Sequence, residues 1–282
     1  MIDFPCAKIN LGLNIVSKRT DGYHNLQTVF MPIPLTDALE IKTMDDRFPS
    51  ETACDLKVTG DALCCNETDN LVIKAYNIIA ADFNIPRVHA HLHKIIPSQA
   101  GLGGGSSDAA FMIRLLDKRF RMNIGNAEME KYAARLGADC PFFITAEPSY
   151  AEGIGEVLMP VNVWGDNLKD YKIIVIKPNV AVSTKEAFSL INPTMPATCC
   201  RDIVSQPICK WRDLGLSNDF EKSVFAIHPQ LKEIKDTLYA CGALYAQMSG
   251  SGSCLFGIFE KHTDMLPTQE KFSEHKVYVM TF

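Results

Sequence analysis

The sequence predicts an α+β fold in two domains, on three observations. Apolar residues fall into period-two and helical-period stretches that follow one another without regular βα alternation. A glycine-rich segment, residues 101–105, runs directly into a helical pattern. A Gly-containing passage, Tyr150 to Pro160, and a polar one, Gly165 to Asp170, precede a buried-type strand at Ile173 to Ile176 and mark the boundary. With 282 residues and 47% hydrophobic content, the chain can bury a large core as one domain or two. The boundary passage divides it into residues 1–160 and 161–282.

Leu11 to Val16 alternates apolar and small residues and reads as a strand. Ser17 to Tyr23 is turn-like, punctuated by Asp21-Gly22. Asn25 to Ile33 and Leu39 to Lys42 resume strand patterns. Asn70 to Phe83 has apolar residues at helical spacing, with Asp69 as the expected N-cap. Val88 to Lys94 alternates strictly and predicts a strand. Asp108 to Leu116 and Glu128 to Leu136 predict helices, the second stopped at Gly137. Asn192 to Arg212 is irregular, and Gln230 to Ala240 is an amphipathic helix. Ala243 to Met248 and Cys254 to Phe259 predict strands flanking a Gly/Ser loop.

Composition excludes several classes. Charged residues make up 22%, an ordinary globular value, and the net charge is -5 with no Lys/Arg-rich run, which argues against a nucleic-acid partner. No run approaches the roughly 18 apolar residues of a membrane span. The N-terminus shows no basic region followed by a long apolar stretch, so no signal peptide is expected. Ten cysteines occur without a C-x-x-C spacing. They read as reduced thiols in a cytoplasmic protein. The sequence leaves the oligomeric state open.

The chemistry concentrates in Pro97-Ser98-Gln99-Ala100-Gly101-Leu102-Gly103-Gly104-Gly105-Ser106-Ser107. Glycines remove obstructing Cβ atoms and permit unusual backbone angles. Backbone N–H groups then converge on an anion, aided by the unsatisfied donors and positive dipole end of the following helix. The competing reading is a flexible turn with a Ser cap. Other phosphate loops fit worse. A Walker A loop requires a Lys that is absent, and a dinucleotide fingerprint requires glycine where Ser106 stands. The protein-kinase strings His-Arg-Asp and Asp-Phe-Gly do not occur. A second loop, Met248 to Ser253, is either a hairpin connection or a further wall of the phosphate site.

Lys8 precedes an apolar strand and is either a snorkelling surface residue or a placed charge. Asp139, in Gly137-Ala-Asp-Cys-Pro-Phe-Phe143, is either an N-cap or a base. Phosphoryl transfer gives both a purpose, since it needs a base near the attacking hydroxyl and positive charge near the transferring group. His89, His91 and His93 share one strand face. The outer pair would stand about 13 Å apart, too far to share a metal, so a polar sheet face is expected. No metal ligands are assigned.

The chain resembles the GHMP kinase superfamily, on the Pro97 to Ala110 loop above all. Ala7-Lys8-Ile9-Asn10-Leu11, Asp21 to Thr28, Asp69-Asn70-Leu71, Leu136 to Pro141, Ala151 to Gly155, Asn218 to Glu221 and Met248 to Gly252 extend the match over almost the whole chain. Ala-Lys-Ile-Asn and Asp-Gly-Tyr-His place it with the members that act on a cytidyl diphosphate polyol in the methylerythritol-phosphate route to isoprenoid precursors. The resemblance implies a two-domain α+β fold with an ATP-binding N-terminal domain, a substrate-binding C-terminal domain, the active site in the cleft between them, and a left-handed βαβ crossover in the ATP half. It implies ATP and Mg²⁺ as cofactors, and γ-phosphoryl transfer to a 2-hydroxyl with Asp139 as base and Lys8 as its partner. It places Asn10, Tyr23, His24, Phe30, Thr184 and Phe188 on the cytidine and polyol. Asn70, Leu71 and Lys94 fall near the adenine, and Pro97 to Ser107 on the phosphates. Gln99 stands where most relatives have Gly. Cys6 and Lys185 also depart from common choices. Another GHMP kinase acting on a different alcohol, or a catalytically silent nucleotide-binding protein, are the competing functions.

Overall fold

The computed structural model describes residues 1–45, 47, 50–61, 69–163 and 165–282. These form two compact units that interleave along the chain. The first comprises residues 1–7, 35–98 and 103–147, the second residues 8–34, 99–102 and 148–282.

The first unit carries a four-stranded sheet. Its order is β1 (Ile2–Asp3), β4 (Ala38–Thr43), β6 (Val88–Lys94), β5 (Cys54–Gly60). β5 and β6 are parallel, joined through helix α1 (Leu71–Asp82), so the unit contains a βαβ connection within an otherwise antiparallel sheet. α2 (Gly104–Phe120), α3 (Asn126–Ala134) and α4 (Phe142–Thr145) complete it. The alternation in β6 separates two faces. Val88, Ala90, Leu92 and Lys94 are buried, while His91 and His93 are exposed and His89 is half-buried. The three histidines bond within the sheet: His91 and His93 to the Thr59 hydroxyl at 2.9 and 3.0 Å, His89 to Asp55 at 2.8 Å.

The second unit has two four-stranded sheets. One is ordered β2 (Cys6–Lys18), β3 (His24–Thr36), β7 (Ser149–Glu152), β8 (Val157–Pro160). The other is ordered β10 (Tyr245–Met248), β11 (Leu255–Glu260), β9 (Tyr171–Lys177), β12 (Lys276–Thr281), antiparallel throughout. The helices here are α5 (Thr184–Phe188), α6 (Cys200–Val204), α7 (Phe220–Ile227), α8 (Pro229–Ala240) and α9 (Leu266–Lys271). Ile174 and Ile176 of β9 and Leu255 and Phe259 of β11 share one buried cluster with Val224 of α7 and Leu231, Ile234 and Leu238 of α8. Ile173 and Val175, on the opposite face of β9, are also fully buried, so the strand is covered on both faces, which accounts for its near-continuous apolar run.

The N-cap of α1 differs from the sequence expectation. Asn70, not Asp69, caps the helix: its side-chain oxygen accepts from the Val72 N–H at 2.9 Å. Asp69 lies one residue too early for this and pairs instead with Lys74 at 3.3 Å. The cysteines among the described residues are free thiols. No helix there is long and apolar enough to cross a membrane.

Candidate active site

In the first unit, the glycine loop ends where α2 begins. Gly103 caps that helix in the left-handed conformation, φ 71°, and no side chain caps its first turn. The first-turn N–H groups lack side-chain partners of this kind, as an anion-binding terminus requires. Gly104 is buried, and a Cβ there would meet Ile96 Cγ2 at 2.9 Å. Gly105 is exposed, and its added Cβ would touch only Leu71, at 3.9 Å. Leu71 and the loop, both predicted for the nucleotide, thus come together. Ser107 is fully buried, and its hydroxyl has no hydrogen-bond partner among the described residues. An orphaned hydroxyl in the first turn of a helix fits a phosphate oxygen.

Asn70 and Lys94 are placed differently from Leu71. Asn70 is buried, with its side-chain oxygen occupied by the α1 cap. Lys94 sits on the buried face of β6, its ammonium between Asp37 and Asp108 of the same unit. Burial opposes its charge, but Asp108 and Asp37 together more than offset that, so its pKa ends above the ordinary lysine value. Asp139 lies half-buried in the turn between α3 and α4. It does not cap α4, whose N-cap is Pro141.

In the second unit, Lys8 is buried on β2 and donates to the Asn10 side-chain oxygen at 2.7 Å. Asn10 in turn donates to Thr28 Oγ1 at 2.9 Å, and Thr28 donates to the Gly12 carbonyl at 2.5 Å. This chain across β2 and β3 fixes the ammonium over the Phe30 ring, 4.8 Å from its centroid. Lys8 is therefore a placed charge and not a snorkelling one. His24 stacks on Phe188, while Tyr23 is 61% exposed on the turn held by Arg19 and Asp21. Thr184 opens α5 behind a capping box formed by Ser183 and Glu186. The structure thus unites Lys8 with Asn10 and Phe30, and His24 with Phe188.

The two Gly/Ser loops meet through residues of this unit. Ser249 Oγ donates to the Gly101 carbonyl at 2.9 Å, and Cys254 N–H donates to the Ala100 carbonyl at 3.2 Å. A Cβ on Gly101 would fall onto the Ser249 carbonyl, so only glycine fits. Asn218 braces the second loop by donating to the Met248 and Gly250 carbonyls, both at 2.8 Å. Gln99 adopts φ 52°, the left-handed region that glycine occupies freely. Residues beyond the predicted set emerge, among them Asp37, Asp108, Asn218 and Ser249. Asp37 interrupts the apolar pattern of Leu35 to Leu39, which is the signal that marks it.

Family models match both halves of the chain: the GHMP kinases N terminal domain at residues 70–147 and the GHMP kinases C terminal region at residues 209–276. The chain is 50% identical over 268 residues to the 4-diphosphocytidyl-2-C-methyl-D-erythritol kinase of Bacteroides fragilis, covering 94% of this chain and 95% of that one. It is 50% identical over 263 residues to the enzyme of the same name from Parabacteroides distasonis, covering 93% of each. A crystal structure of 4-(cytidine 5'-diphospho)-2C-methyl-D-erythritol kinase superposes with a TM-score of 0.80 at 28% identity, over 99% of this chain and 98% of the other. With both family models matched and identity sustained over nearly its full length, this chain belongs to the GHMP kinase family.

Proposed function

We infer that this chain is the ATP-dependent kinase of the methylerythritol-phosphate route, phosphorylating the 2-hydroxyl of 4-diphosphocytidyl-2-C-methyl-D-erythritol. The observation that carries this reading is half-identity to kinases of that name over 94% of the chain, with Lys8, Asp139 and the glycine loop all present.

The α2 N-terminus, with Ser106 and Ser107, holds the ATP phosphates. Mg²⁺ would be held chiefly by those phosphates, where it would neutralise their charge. Among the described residues no group of three or more His, Cys, Asp or Glu side chains is arranged to hold a metal. On the acceptor side, Tyr23 stacks on the cytosine, His24, oriented by its stack on Phe188, faces the edge of the base, and Asn10, Phe30 and Thr184 line the polyol. Asp139 accepts the proton of the 2-hydroxyl as its oxygen attacks the γ-phosphorus and the bond to the β-phosphate oxygen breaks. Lys8, held by Asn10, steadies the charge developing on the attacking oxygen. The enzyme acts in the cytoplasm on a small-molecule acceptor.

Asp139→Asn tests the mechanism. kcat should fall by roughly 10²–10⁴, the span of a general base, while ATP binding persists by calorimetry. Near-parental turnover in that variant removes Asp139 from the mechanism.

A further inference from the structure

We propose that Asp37, Lys94 and Asp108 form a buried ionic clamp that positions the phosphate-binding loop, so that Lys94 serves ATP through the loop and not by touching its base. The inference rests on the reading that residues 97–107 hold the ATP phosphates.

One ammonium fastens both ends of the loop. Lys94 is the last residue of β6, and Asp108 lies in the second turn of α2. Lys94 Nζ donates to Asp108 Oδ2 at 2.6 Å, bridging the residues on either side of 95–107. Asp37 supplies the anchor. It occupies the one-residue link between β3 and β4 and has no exposed surface. Its Oδ2 receives the same ammonium. Its Oδ1 receives the N–H groups of Ile95 at 2.5 Å and Ile96 at 2.9 Å, the first two residues beyond β6. The strand end, the β3–β4 link and α2 are thereby tied at one point. Gly104 fits against it without a side chain, its added Cβ lying 3.4 Å from Lys94 Nζ.

Stability alone is a weak reason for such a cluster, because burying three ionised groups costs much of what their attraction returns. A fixed register between β6 and α2 is a better one, since a displacement of about 1 Å at a phosphate site costs up to roughly 100-fold in rate. The side chain of Lys94 is 2% exposed. For it to reach an adenine, two buried carboxylates would lose their partner.

The test compares Lys94→Met and Asp37→Asn with the parent, using KM for ATP, for GTP and for the cytidyl acceptor, alongside Gly105→Val. Both clamp variants should raise KM for ATP by roughly ten- to 100-fold. KM for GTP should rise by the same factor, and KM for the acceptor should move less than about twofold. General loss of structure would move all three constants or the active fraction. Asp37→Asn keeps the side-chain volume and an acceptor for Ile95 and Ile96, so it carries the test if Lys94→Met does not fold. A selective loss of ATP over GTP in Lys94→Met shows base contact and overturns the clamp. Unchanged KM for ATP in both variants, with Gly105→Val impaired, overturns the clamp while leaving the phosphate loop intact. An unimpaired Gly105→Val overturns the phosphate-loop reading itself, and the clamp with it.

Discussion

His24 and Phe188 stack face to face, with ring centroids 4.7 Å apart and planes inclined by 22°. They belong to β3 and α5, 164 positions apart in the chain, and the contact sets the imidazole orientation. Phe188 is itself held edge-on by Phe220, at 4.8 Å and 83°. Removing Phe188 frees the ring that the cytosine reading requires. Base stacking is worth about 1–3 kcal/mol, so Tyr23→Ala should raise KM for the cytidyl acceptor roughly 5- to 150-fold, and Phe188→Ala should raise it by releasing His24. KM for ATP should barely move. Steady-state kinetics with each substrate varied in turn will check this, and a matching rise for ATP would contradict it.

Gly104 and Gly105 separate packing from phosphate approach. Gly104 backs onto Ile96, so Gly104→Ala should cost about 1–3 kcal/mol of stability through overpacking. Gly105 faces outward, and Gly105→Val should keep the parental melting temperature within a few degrees while ATP binding collapses. Thermal melts paired with calorimetric titration of ATP distinguish the two. Equal effects of both substitutions on stability and binding would contradict this division.

Burial raises the Asp108 carboxyl from its ordinary range to about 7, even with Lys94 beside it. A raised acid takes up a proton on folding. Its contribution to stability is therefore full below its unfolded pKa, near 4, and is lost as pH rises through about 7. Asp108→Asn removes this titration. The parent-minus-variant difference in unfolding free energy should decline as pH increases from about 4 to about 7, measured by denaturant titration. A difference that stays flat or grows over that window would contradict the assignment.

Much of this was legible in the residues because short-range physics determined it. The strict alternation of Val88 to Lys94 set the strand, and the glycines of residues 101–105 set the turn into α2. The same alternation places Lys94 in phase with Val88, Ala90 and Leu92, on the buried face. That sign pointed inward, but its partner Asp37 lies 57 positions away and cannot be paired from one sequence. β5 alternates Cys54, Leu56 and Val58 with polar residues, a pattern the sequence reading leaves unassigned. β7 and β8 are too short for periodicity to declare them, and their pairing across Gly153 to Glu156 makes strands of what reads as a glycine passage. The Asn70 cap turned on a shift of one residue, which composition does not resolve. The left-handed Gln99 also escapes sequence rules, because only the surrounding backbone imposes its φ.

The most direct test of the central claim is phosphorus NMR of the products formed from ATP by the purified chain. It is run once with 4-diphosphocytidyl-2-C-methyl-D-erythritol and once with methylerythritol phosphate lacking the nucleotide. The account predicts a new phosphomonoester on the 2-hydroxyl of the cytidyl acceptor, formed in equal amount to ADP, and little product from the truncated acceptor. Equal use of the two acceptors, or ATP binding with no phosphorylated product, would contradict it.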